Sequence, residues 1–76
     1  MSVLSELITS GDQWAAERAR YALEVHEAVG SGQLTPSEAK EILQDLISTE
    51  KLEESAADQQ ARAALVFGVT QLISLY

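Results

Sequence analysis

Three observations predict an all-α fold. Eleven alanines and ten leucines dominate the apolar residues, while the β-branched and aromatic runs that strands use are scarce. Two long stretches repeat their apolar residues at helical spacing. One turn carrying glycine and proline separates them. Together these imply an antiparallel two-helix hairpin with a long second helix, assembled into an oligomer. The competing arrangement is a three-helix bundle bent near Ser48. At 76 residues the chain is one small domain, 1–76.

The first helix is expected over about 2–29. Leu4, Leu7, Ile8, Gly11, Ala15, Ala19, Ala22, Val25 and Val29 recur on one face with the 3.6-residue period, flanked by Trp14 and Tyr21. The stripe keeps its phase across Gly11, which favours one continuous helix. The other reading is a short lead-in with a second start at Ser10 or Asp12. A turn follows over 30–35, where Gly30 suits a left-handed C-cap. Thr35-Pro36-Ser37-Glu38 then has the form of a capping box with proline at the first helical position.

The second helix is expected over about 36–75, because no glycine or proline interrupts it before Gly68. Its face reads Ala39, Ile42, Leu43 and Leu46, turns polar at Glu50, Glu53 and Glu54, and becomes apolar again from Ala57 onward. Folding the two helices about the turn sets Val25 against Ile42 and Leu43, and Arg18 against Glu50. Exposed ion pairs of that kind contribute ~0–1 kcal/mol, enough to select a register and little more.

The segment Gly32-Gln33-Leu34-Thr35-Pro36-Ser37-Glu38-Ala39, followed by Leu43, resembles the helix-turn-helix hairpins of bacterial and phage proteins. The whole chain is similar to the short acidic α-helical proteins of tailed bacteriophages. The hairpin resemblance covers about fifteen residues, rests mainly on capping chemistry, and carries over no functional residue.

Charge limits the functional classes. Twelve acidic and five basic residues give a net charge of −7. Phosphate recognition needs Lys and Arg, so direct nucleic-acid binding is not expected. The N-terminus shows no basic stretch ahead of an apolar one, so secretion is not expected either. The longest apolar stretch, 63–76, is shorter than the ~20 residues a membrane helix needs. A cytoplasmic location is expected on these grounds, and the resemblance to phage proteins implies a virion-associated one as the other expectation. The chain has no cysteine, which excludes disulfides and thiolate metal sites.

Catalysis is not expected. His26 is the only histidine, has neither a second histidine nor a cysteine to share a metal with, and no serine sits in a nucleophile elbow. No cofactor or metal site is predicted. Two surfaces are. The apolar C-terminal segment outruns the first helix, so Val66, Phe67, Val69, Leu72, Ile73 and Tyr76 form the expected protein interface, with Gly68 admitting a second helix. The acidic stretch Glu50, Glu53, Glu54 and Asp58 is a candidate docking face for a basic protein partner, since its i,i+4 carboxylates repel one another. The leading expectation is a non-catalytic structural or assembly protein that self-associates through the C-terminal segment. The alternative is a small acidic regulator or inhibitor that docks onto a basic protein surface.

Overall fold

A computed structural model describes residues 3–9, 11–48 and 59–76, and within them every regular element is an α-helix. These are α1 (Val3–Ile8), α2 (Gln13–Gly30), α3 (Pro36–Leu46) and α4 (Gln59–Ile73).

The continuous first helix expected over about 2–29 is divided. Thr9 closes α1, its N–H donating to the Glu6 carbonyl at 3.2 Å. Gly11 then takes φ +92°, which is left-handed backbone that a Cβ would strain. Asp12 is extended and caps α2, its carboxylate accepting from the Ala15 N–H at 3.0 Å. The second start at Asp12 is therefore the form adopted. The apolar stripe hid the break because both pieces face one core: Leu4 and Leu7 from α1, and Ala15, Ala19, Ala22 and Val25 from α2, are all buried.

At the other end of α2 the left-handed glycine is Gly32, at φ +85°, and not Gly30, which remains helical. The Gln33 N–H reaches the Ala28 carbonyl at 2.8 Å and the Gly32 N–H the Val29 carbonyl at 3.1 Å. That is the paired bond pattern of a Schellman cap, and it places the glycine one residue beyond the cap. The Thr35 capping box forms as its spacing predicts. The Glu38 N–H donates to Thr35 Oγ1 at 3.1 Å, and the Thr35 N–H donates back to Glu38 Oε1 at 2.9 Å. The bond from the Thr35 backbone, then that with its side chain, holds the Glu38 carboxyl below its ordinary value of 4.5.

The single second helix expected over about 36–75 does not form. The α3 helix stops at Leu46, where Ile47 leaves helical geometry at φ −108°, ψ 19°. A continuous helix of that span would be ~60 Å long, whereas the longest dimension of the molecule is 34 Å. Instead α4 lies against α1, α2 and α3 alike. The expected Arg18–Glu50 pair lies outside the described residues. The reason for the return is the distribution of apolar side chains. Leu43 on one side of the polar middle, and Leu65 and Val69 on the other, are all wholly buried in a common core. On a straight rod the α4 side chains would remain in water, at a cost of ~1.5–3 kcal/mol for each large one.

The inner face of α2 is made small by Ala15, Ala19 and Ala22, none with exposed surface. No polar or charged residue is buried among the described residues. Gly68 lies directly beneath Leu4, and a Cβ there would sit 2.8 Å from Leu4 Cγ and Cδ2. The close approach that Gly68 permits is thus to α1 of the same chain and not to a second helix from outside.

Candidate interaction surface

The residues expected to form the protein interface separate onto different sides of α4. Val69 is fully buried, and Leu72, Ile73 and Tyr76 are half-buried against the core. In a straight hairpin this face lacks cover, because the second helix outruns the first. Folded back at Gly11, α1 supplies that cover through Leu4. Phe67 lies on the opposite side and is 55% exposed, and Val66, half-buried, lies on the flank between the two sides. With Gln59, Arg62, Ala63 and Thr70 they line a shallow, mainly apolar groove along the outside of α4. A helix that is apolar all round can bury only one side in so small a molecule, so the other remains in water.

This groove stands apart in charge as well. All twelve acidic residues precede residue 59, and Arg62 is the only charged side chain from 59 to 76. The expected acidic docking face, Glu50, Glu53, Glu54 and Asp58, lies outside the described residues.

Tyr76 is occupied within the chain. Its hydroxyl shares a 2.5 Å hydrogen bond with Nδ1 of His26 on α2, and the two rings are tilted with centroids 6.1 Å apart. Partial burial pushes the Tyr76 phenol above its ordinary value of 10.0. The sequence separation of fifty residues leaves no local signal for this pair. Among the described residues no three His, Cys, Asp or Glu side chains converge as metal ligands would.

A second cleft, of about 470 Å3, lies between α2 and α3 and is lined by Arg18, Tyr21, Glu41, Ile42, Asp45 and Leu46. The Arg18 guanidinium stacks over the Trp14 ring, 4.6 Å from its centroid. Arg18 Nε is buried with no hydrogen-bond partner. Trp14 and Tyr21, two turns apart, both flank the apolar stripe of the first helix in sequence. The structure separates them: Trp14 packs against the core beneath Arg18, and Tyr21 is 46% exposed in the cleft. The i,i+4 spacing of Trp14 and Arg18 was the signal for the stack.

No described helix is long and apolar enough to cross a membrane. Comparison of the chain with protein-family models, with curated proteins and with solved structures finds no match.

Proposed function

We propose that this chain is a non-catalytic helical assembly protein, a small bundle that self-associates through the outer face of α4. The observation that carries the reading is the strip formed by Ala63, Val66 and Phe67, with Phe67 more than half exposed, on an element free of acidic side chains. Exposed apolar strips of this kind gain free energy on mutual burial, ~25 cal/mol per Å2. Sedimentation across a concentration series tests it. The native chain should exceed its monomer mass of 8.2 kDa as concentration rises. Phe67→Glu should remain monomeric with unchanged helicity. A native chain that stays monomeric throughout the series would refute the reading. Truncation after Ala64 is no substitute, because it also removes Leu65 and Val69 from the core.

The cleft between α2 and α3 favours a second reading, an acidic regulator of a basic protein. Glu41 and Asp45 are exposed one turn apart beside Tyr21, Ile42 and Leu46. This combination offers a basic, partly apolar helix both charge and contact area. Binding by that route should weaken as salt rises, and Glu41→Gln with Asp45→Asn should abolish it.

A further inference from the structure

We infer that the cleft between α2 and α3 receives an amphipathic helix of a partner protein, with basic side chains along one edge of its apolar face and an acidic side chain along the other. This rests on the reading of the chain as an acidic regulator and specifies the partner's charge pattern. The two walls of the cleft differ in sign. On the α3 side Glu41 and Asp45 are exposed and one turn apart, ~6 Å along the helix axis. On the α2 side stands Arg18. Half-buried Ile42 and Leu46, with the exposed Tyr21, supply the apolar contact between them. The net charge of −7 draws a basic segment to this site in preference to a second copy of the chain.

A cleft lined by carboxylates alone would accept any basic helix, and Arg18 narrows the choice. Its guanidinium stacks on the Trp14 ring, 4.6 Å from the centroid, so the cation is held in place before a partner arrives. Among the described residues none forms an ion pair with Arg18. Its Nε is buried and unpartnered, so a docking carboxylate reaches the guanidinium through the terminal nitrogens. Such a fork suits a carboxylate in charge-assisted hydrogen bonds. A lysine or arginine of the partner is repelled by Arg18 and drawn to the opposite wall. Walls of opposite sign therefore favour a helix with mixed edges over a uniformly basic one. The contact extends little beyond one turn of α3, so binding is weak and the charge pattern, more than the area, carries the selectivity.

The test titrates the native chain with a Leu/Lys amphipathic peptide of about 15–20 residues, long enough to form a helix. Lysines line one edge of its apolar face and glutamines the other. A single glutamate then replaces each glutamine in turn. Every such change lowers the positive charge of the peptide, so its general attraction to a chain of −7 weakens. Glutamate at one position should nonetheless tighten binding several-fold over glutamine. Arg18→Gln, with helicity checked first, should remove that gain, and Arg18→Lys, which keeps the charge without the planar fork, should retain only part of it. If glutamate weakens binding at every position, attraction to acidic charge alone is at work: the mixed-edge proposal fails and the basic-partner reading stands. A gain that survives in Arg18→Gln assigns the carboxylate to another cation and also overturns the proposal. If no peptide of the series binds, the basic-partner reading fails and this proposal with it.

Discussion

Leu4 and Gly68 show how much a single contact settles in a chain of this size. Leu4 is 1% exposed and occupies the space where Gly68 lacks a side chain. Gly68→Ala should gain ~1 kcal/mol in helix propensity and lose ~1–3 kcal/mol to overpacking, for a net destabilisation. Leu4→Ala should cost ~2–5 kcal/mol. In the Leu4→Ala background the clash is gone, so Gly68→Ala should turn neutral or stabilising. Urea denaturation of the four proteins checks this; equal effects of Gly68→Ala in both backgrounds would mean that the two residues are not coupled. The capping pair is also a residue-scale feature. Because the Glu38 carboxyl is held below its ordinary value, its contribution is present above that value and lost as pH falls through the folded one. Glu38→Gln keeps an acceptor for the Thr35 N–H and should flatten this part of the acid unfolding curve. Thr35→Ala removes the cap itself and should cost ~0.5–2 kcal/mol at neutral pH.

At the scale of elements, α1 depends on its surroundings. Six residues are too few for an isolated helix in water. It persists because Leu4 and Leu7 enter the core, and because Gly11 and Asp12 redirect the chain into α2. Gly11→Ala places a Cβ at φ +92°. The strain of left-handed backbone is ~1–2 kcal/mol; no neighbouring atom crowds the site, so the penalty is conformational. The variant should fray α1 first, which amide exchange would register as earlier loss of protection at Leu7 and Ile8 than at Ala19 and Ala22. Uniform loss of protection would indicate that α1 and α2 unfold as one unit. The caps were legible in the sequence, since Thr35-Pro36-Ser37-Glu38 is a local signal that local chemistry satisfies. The break at Gly11 was legible only as an alternative, because the apolar stripe keeps its phase on both sides of it.

At the scale of the whole molecule, the sign of the salt dependence separates the two functional readings. Copies carrying −7 repel one another, and added salt screens that repulsion. Self-association through α4 should therefore strengthen from low to moderate ionic strength, whereas docking of a basic partner to Glu41 and Asp45 should weaken. Sedimentation of the chain alone and titration with a basic amphipathic peptide, each over the same salt series, would read the two trends. Association of the chain with itself that falls as salt rises would count against an apolar contact.

The sequence by itself determined the helical class, the turn near Gly32 and the capping box, because these depend on side chains within a few residues of one another. It also placed an apolar surplus near the C-terminus. Tertiary structure decided where that surplus goes. Nothing local to Leu46 or Ile47 forces the helix to stop: the return of α4 is favoured by bringing Leu43, Leu65 and Val69 into one core. Likewise nothing local to Gly68 says that Leu4, sixty-four residues earlier, will cover it. Periodicity identifies which residues are apolar together on a helix, but α4 is apolar on both sides. Only the packing of α1 selects the side that is buried and leaves Phe67 facing solvent.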